Sequence, residues 1–256
     1  MPRDVLTTAD HIELLEVEAD RFAASLAAAD LASTVVTCPD WTVRALVRHV
    51  GGLHRWSAGI VSQEIAAETW RSSLPLDYPA DTAPLAAWRE WFVAGAADAC
   101  RTFAASDPAC PVWAWGADQH ARFWPRRMLF ETAIHRLDLD LTLRSSPDLP
   151  AGLAVEGIDE QLENLPFVAR WNSEVAKLRG NGETLGFAAP DADAFWRLRL
   201  DPGGWWWDRA AAHNANVMVE GTALDLLLLL VGRPAPAVEV SGDRALLDRW
   251  RAATAF

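Results

Sequence analysis

The sequence has no hydrophobic run long enough to cross a membrane. Its longest purely apolar run, Leu226 to Val231, is far shorter than the roughly 20 residues that a membrane-spanning helix needs. The N-terminus has no apolar segment behind a basic one, which argues against a secretory signal peptide. We therefore expect a cytoplasmic protein that does not bind membranes.

Cysteine is also scarce. The three cysteines, Cys38, Cys100 and Cys110, are odd in number and form neither a Cys-x-x-Cys motif nor a disulfide framework. Buried free thiols in a reducing cytoplasm account for them better than cross-links do.

Basic residues are outnumbered, with 23 Lys and Arg against 35 Asp and Glu, which gives a net charge of -12. Such a chain does not attract nucleic acid or anionic membranes through its overall field. A local arginine cluster can still bind a small anion. The expected partner is therefore a small-molecule substrate and neither nucleic acid nor a membrane, and we expect the protein to be a monomer or a homodimer.

Tryptophan, in contrast, is abundant, with 14 residues in a chain of 256. The length allows one large or two small domains. Helical periodicity dominates the first part of the chain, and β-prone segments appear after about residue 180. We therefore predict an α+β protein with a helical domain over residues 1–150. A smaller α/β domain, with a β-hairpin and two helices, should follow over residues 151–256.

The pattern predicts individual elements as well. Thr8 or Asp10 should cap the first helix and Thr42 the second. The turn signal Asp-Pro-Gly-Gly at 201–204 predicts the hairpin. The predicted helices cover residues 8–32, 42–62, 84–105, 123–143, 152–165, 222–232 and 243–251, and the predicted strands cover 184–188, 195–200, 205–209, 216–220 and 237–240.

Glu131 and His135 form the first candidate site. They are four residues apart in the predicted fourth helix, so both side chains lie on one face, one turn apart. A carboxylate and an imidazole in this arrangement can chelate a divalent metal. Trp124, Arg127 and Asp138 fall on nearly the same side of the helix, which makes them candidates for contact with a bound cofactor or substrate.

Two histidines of the second helix are candidates for a third ligand. His49 lies within an apolar stripe and therefore points inward, either as a ligand or as a core histidine bonded to a backbone carbonyl. His54 lies roughly 140° away around a helix of 3.6 residues per turn. The two cannot face one site on a straight helix.

Three segments together resemble the mycothiol-dependent maleylpyruvate isomerase family. They are residues 40–52 (DWTVRALVRHVGG), 131–138 (ETAIHRLD) and 221–233 (GTALDLLLLLVGR). The resemblance implies a DinB-like metal-binding four-helix bundle with a family-type C-terminal domain. It also implies a divalent metal, expected to be Zn²⁺, bound by His49, Glu131 and His135, with mycothiol as the thiol cosubstrate.

The resemblance further implies a reaction. A zinc-bound thiol ionises near neutral pH, and the thiolate would add to a cis double bond so that a small unsaturated keto acid isomerises. The family also uses a C-terminal arginine, which matches Arg233, and Arg127 is a second candidate for holding an anionic group. Asp138 is a candidate for orienting a ligand histidine.

Three alternatives remain open. The protein could be a mycothiol S-transferase acting on an aromatic or natural-product electrophile, with Trp113, Trp115 and Trp124 lining its cavity. It could use metal-bound water instead of a thiol. It could also be a DinB-like metal-binding protein without catalytic activity.

Overall fold

The structure, a computed structural model, describes residues 6–211 and 214–254. The chain divides into two compact units, Met1–Pro147 and Asp148–Phe256. The first unit is helical with one small hairpin, and the second combines helices with a five-stranded sheet. The predicted α+β class is therefore confirmed.

Four long helices build the first unit. They are α1 (Thr8–Leu26), α2 (Val43–Ser62), α3 (Leu85–Ala105) and α4 (Phe123–Thr142), and a short hairpin, β1 (Thr34–Val35) and β2 (Cys38–Thr42), lies between α1 and α2. Helix α1 packs against α3 and α4, and α2 packs against the same two helices. A 3₁₀ turn, Arg71–Ser73, follows α2.

The N-terminal caps of α1 and α2 follow from local chemistry. Thr42 caps α2 as predicted, because its hydroxyl accepts a hydrogen bond from the Ala45 amide. The predicted cap of α1 was wrong by one residue: Thr7 is the cap, and it forms a reciprocal capping box with Asp10.

Helix α1 is also shorter than the predicted 8–32, since it ends at Leu26. The Asp30 carboxylate accepts from the amide of Ala32 beyond that point. Such local bonds between a side chain and the backbone compete with helix formation.

A buried ionic network joins α1 to α4. Arg136 donates to Glu18 over 2.6 Å and to Asp140 over 2.5 Å, and Ser25 donates to the second oxygen of Asp140 over 2.7 Å. Arg136 and Glu18 are each only 1% exposed. The network fixes the register of α1 against the helix that carries two of the candidate ligands.

The second unit contains the predicted sheet. Its elements are α5 (Ala151–Val168), α6 (Ser173–Lys177), β3 (Glu183–Ala189), β4 (Ala194–Asp201), β5 (Gly204–Asp208), β6 (Val217–Glu220), α7 (Ala223–Leu230), β7 (Glu239–Gly242) and α8 (Arg244–Thr254). The strand order is β5-β4-β3-β6-β7, with β3 and β6 parallel and the other pairs antiparallel.

The predicted hairpin is confirmed, because Asp201 pairs with Gly204 across the turn between β4 and β5. Leu185, Phe187 and Trp196 lie on a fully buried face of the sheet. The last strand begins two residues later than the predicted 237–240. No helix in the described parts of the chain is long and apolar enough to cross a membrane.

Candidate metal centre

Two helices bring His49, Glu131 and His135 together. His49 is on α2, and the other two residues are on α4. The His49 Nε2 atom is 3.6 Å from Glu131 Oε1, and the His135 Nε2 atom is 3.9 Å from Glu131 Oε2. One candidate ligand atom from each residue lies within 4.8 Å of the others. Two imidazole nitrogens and one carboxylate oxygen form a donor set that suits a zinc-type ion and leaves coordination positions free.

The charges around Glu131 keep it ionised. Burial acts to raise the pKa of its carboxyl, but Arg127 and the two histidines outweigh burial and hold this pKa well below its usual value. Arg127 Nη2 donates to Glu131 Oε2 over 2.8 Å, and the arginine side chain is only 9% exposed. Glu131 is thus an anionic ligand already paired with one cation.

His49 is held in its neutral form. Burial lowers the pKa of His49, Glu131 opposes this shift, and the charges of His135 and Arg71 add to the lowering. A histidine must be neutral to bind a metal through its ring nitrogen. His49 therefore needs no deprotonation at neutral pH before it can act as a ligand.

His135 is oriented by Asp138, one turn further along α4. The Nδ1 atom of His135 lies 2.8 Å from Asp138 Oδ2. Asp138 is fully buried, and its other oxygen accepts from the Thr37 hydroxyl over 2.6 Å. With a carboxylate at Nδ1, that nitrogen carries the proton, and Nε2 keeps the lone pair that faces Glu131.

Trp41 covers the two histidines from the hairpin side. Its ring centroid is 4.7 Å from that of His49 and 5.7 Å from that of His135. The sequence analysis gave Trp41 no role at the site and did not predict this contact. The only hint of this contact in the sequence was the position of Trp41, two residues before α2 and eight before His49.

His54 lies in the core, away from the ligand cluster. Its Nε2 atom is 2.8 Å from the Thr132 hydroxyl, and its ring packs against Phe92. Complete burial lowers the pKa of His54 to about 3. The Nδ1 atom has no hydrogen-bond partner among the described residues. The helical phase that separated His49 from His54 is thus reproduced in the structure.

Trp124 belongs to an aromatic cluster at the start of α4. It is fully buried, packs against Trp56, Trp113 and Phe123, and donates its Nε1 hydrogen to the Trp113 carbonyl. A direct contact between Trp124 and a bound cofactor would require this cluster to open. Trp115 is half-buried, and its ring lies 5.7 Å from the guanidinium of Arg127.

Two further arginines, Arg233 and Arg71, could bind an anionic group, and they lie in different surroundings. Arg233 lies in the second unit, where it is buried and donates to the Val231 carbonyl over 2.8 Å. Arg71, which the sequence analysis did not single out, is half-buried and acts on His49 by charge. It makes no side-chain hydrogen bond or ion pair with any residue that the structure describes. No motif surrounds it that could have revealed this role from sequence.

The fold and the ligand cluster define a two-unit α+β protein with a candidate metal site inside its helical bundle. The model of the mycothiol maleylpyruvate isomerase N-terminal domain matches residues 12–140, and that of the family's C-terminal domain matches residues 152–249. The chain therefore belongs to the mycothiol-dependent maleylpyruvate isomerase family.

Solved structures agree with this assignment. The crystal structure of the mycothiol-dependent maleylpyruvate isomerase has 16% sequence identity and a TM-score of 0.61, over 92% of this chain and 93% of that one. The crystal structure of a histidine-to-alanine mutant of that isomerase gives a TM-score of 0.62 at the same identity and coverage. At this identity the likeness establishes the fold. No curated protein sequence matches the chain.

Proposed function

We propose that this protein is a thiol-dependent metalloenzyme that isomerises a small unsaturated keto acid with mycothiol as cosubstrate. One observation carries the proposal, namely the convergence of His49, Glu131 and His135 within 4.8 Å. Family membership supports the choice of thiol, since both matched models describe mycothiol maleylpyruvate isomerase domains.

Each residue of the site has a part in this proposal. His49, Glu131 and His135 would hold a zinc ion, which when bound would let a thiol ionise near neutral pH. Arg127 keeps Glu131 anionic, and Asp138 fixes the ring of His135. Trp41 shields the two imidazoles from solvent on one side, which lowers the local dielectric and strengthens the electrostatic interactions there.

The proposed chemistry regenerates the thiol. The thiolate sulfur forms a bond to one carbon of the cis double bond, and the electron pair moves onto the conjugated carbonyl. Rotation about the new single bond follows. The carbon–sulfur bond then breaks, the electron pair restores the double bond in the trans form, and the thiolate is released unchanged.

The substrate carboxylates need a cation, because the net charge of the protein is -12 and its overall field repels anions. Arg127 and Arg233 are the two predicted candidates. Arg127 already pairs with Glu131, so we add Arg71, whose charge acts on His49 and whose side chain makes no ion pair with a described residue. Lysine at the responsible position should impair turnover and preserve metal content, because it lacks the two-point grip of a guanidinium.

A second candidate function is transfer of mycothiol to an aromatic electrophile. The observation that favours it is Trp115, a half-buried ring within 5.7 Å of Arg127. A planar electrophile could stack on such a ring beside the ligand cluster. In this case the sulfur–carbon bond would persist in the product.

Metal analysis tests the site itself. We expect one divalent metal per chain in the parent and in His54→Ala, and loss of that metal in His49→Ala, Glu131→Ala and His135→Ala. If the metal stoichiometry is unchanged in the three ligand variants, each shown to be folded by circular dichroism, the proposed metal site is wrong. Retention in His49→Ala with loss in His54→Ala would mean that the other histidine is the ligand.

Activity assays then separate the reactions. Maleylpyruvate with mycothiol should give the trans isomer with no net thiol consumption. A stable mycothiol adduct of an aromatic electrophile, without isomerisation, would support the S-transferase. Hydrolysis of an ester or amide without any thiol would support catalysis by metal-bound water. A metal-loaded protein inactive in all three assays and not stabilised by any thiol would favour a non-catalytic role.

A further inference from the structure

We propose that Thr37 is a positioning residue of the metal centre, acting on His135 through Asp138. The inference rests on the proposed function, since it assumes that His135 is a metal ligand. Thr37 lies in the turn of the β1–β2 hairpin, far from α4 in the sequence. Its hydroxyl nevertheless donates to Asp138 Oδ1 over 2.6 Å.

Asp138 needs this donor because it is wholly buried. A buried carboxylate is costly unless its oxygens accept hydrogen bonds. The oxygen Oδ2 faces His135 Nδ1 at 2.8 Å, and the Thr37 hydroxyl donates a hydrogen bond to Oδ1. The hydroxyl therefore restrains the rotation of the carboxyl group and with it the direction in which Oδ2 points.

The turn that carries Thr37 is itself attached to α4. Val35 pairs with Cys38 across the turn. The Val36 amide donates to the Thr142 hydroxyl over 3.2 Å, and that hydroxyl donates to the Asp138 carbonyl over 2.8 Å. The hairpin is thus linked to both the backbone and the side chain of Asp138, so the Thr37 hydroxyl has little freedom to move.

Cys38 offers a contrast at the same carboxylate. Its sulfur lies 3.9 Å from Asp138 Oδ2, and a thiol is a weak donor. Of these two side-chain contacts to the carboxylate, the bond from Thr37 is the shorter and the stronger. The two neighbouring residues provide a matched pair of substitutions, Thr37→Val and Cys38→Ala, which remove one donor each from the same buried acid.

The consequence for His135 is geometric. With Oδ2 held at Nδ1, the ring keeps its Nε2 atom on the side of Glu131, 3.9 Å from Oε2. Removing an outer partner of a metal-bound histidine typically lowers metal affinity by about 10- to 100-fold. Thr37 is one bond further away, so we expect Thr37→Val to weaken zinc binding by about 5- to 10-fold, at or just below the lower limit of that range.

The test is a competition titration of zinc against a chromophoric chelator, with the full chain at neutral pH. Thr37→Val should raise the zinc dissociation constant, Thr37→Ser should restore it, and Cys38→Ala should leave it near the parental value. Thr132→Val is the matched control on α4, because it removes a buried hydroxyl that touches His54 rather than a ligand. It should lower stability without altering zinc affinity.

A second readout is the visible spectrum of the cobalt-loaded protein, which reports ligand geometry independently of activity. Thr37→Val should shift this spectrum and Thr132→Val should not. If zinc affinity and the cobalt spectrum are both unchanged in folded Thr37→Val while His135→Ala loses the metal, this inference is wrong and the metal site stands. If the parent itself binds no zinc, the proposed function fails first.

Discussion

Substitution of Gly51 by alanine tests how α2 is held against α3. A Cβ atom built on Gly51 lies 2.3 Å from Cζ3 of Trp91 and 2.8 Å from Cη2. Carbon atoms in contact prefer about 3.5–4.0 Å, so the ring or the helix must move by roughly 1 Å. Close packing of α2 against Trp91 on α3 therefore requires a glycine at position 51.

The Trp91 ring cannot move freely. Its Nε1 donates to the Leu76 carbonyl over 3.0 Å, Trp88 meets it edge to face, and the Arg55 guanidinium lies 4.2 Å over it. Overpacking a core costs about 1–3 kcal/mol, and replacing glycine by alanine in a helix returns up to about 1 kcal/mol. We expect a net loss of about 1–2 kcal/mol in the free energy of unfolding.

The assay is urea unfolding of the metal-free protein. Gly152→Ala is the matched control, because Gly152 is the second residue of α5 and nothing lies within 4 Å of its added Cβ. This variant should be neutral or slightly stabilised. Gly51→Ala should unfold at lower urea, and it should bind zinc more weakly because His49 is two residues away on the displaced helix. A Gly51→Ala protein as stable as Gly152→Ala would refute the packing argument.

Two further predictions concern buried charge. The folded-state pKa of His54, about 3, lies below the ordinary value near 6.5. The stability that the buried neutral His54 contributes is therefore complete above pH 6.5 and is lost as the pH falls toward 3. In the metal-free protein His54→Gln should reduce the pH slope of unfolding across that window by up to about 1.4 kcal/mol per pH unit, and an unchanged slope would contradict the assignment. Arg136→Met should destabilise the protein by up to about 3–5 kcal/mol in urea unfolding, because Glu18 and Asp140 lose their shared buried cation. Glu18 would still pair with Arg21, and Asp140 with the Ser25 hydroxyl. The double variant Arg136→Met, Glu18→Leu should recover part of the lost stability. If Arg136→Met alone is as stable as the parent, the network is dispensable.

The helical part of the fold could be predicted from the sequence because its signals are local. Hydrophobic periodicity and the Thr42 cap placed α2 within a residue of its observed bounds. Helical phase alone was enough to separate His49 from His54. The spacing of Glu131 and His135 placed both on one face of α4. Each of these inferences depends on contacts a few residues apart, which a single sequence contains.

The β1–β2 hairpin of the first unit, unlike the β4–β5 hairpin, could not be predicted in this way. Its turn, Val36 and Thr37, lacks the glycine or asparagine that marks most two-residue turns. Its stability comes from α4, through Thr142 and Asp138. Trp41 was missed for the same reason, since its contact with His135 joins distant parts of the chain. Side chains that meet across such distances leave no periodic pattern in the sequence.

The position of Trp41 has a kinetic consequence. The ring lies across both histidines and belongs to a hairpin whose turn is fastened to α4. Glu131 and His135 can meet an ion on a single helix, but His49 joins them only when α2 and α4 are packed together. If the site holds an ion, its passage on the hairpin side would require a local opening of the β1–β2 hairpin, which is less costly than global unfolding. An ion held here would therefore exchange through the side of the site that faces away from Trp41, which is also the side that a thiol and a substrate would use.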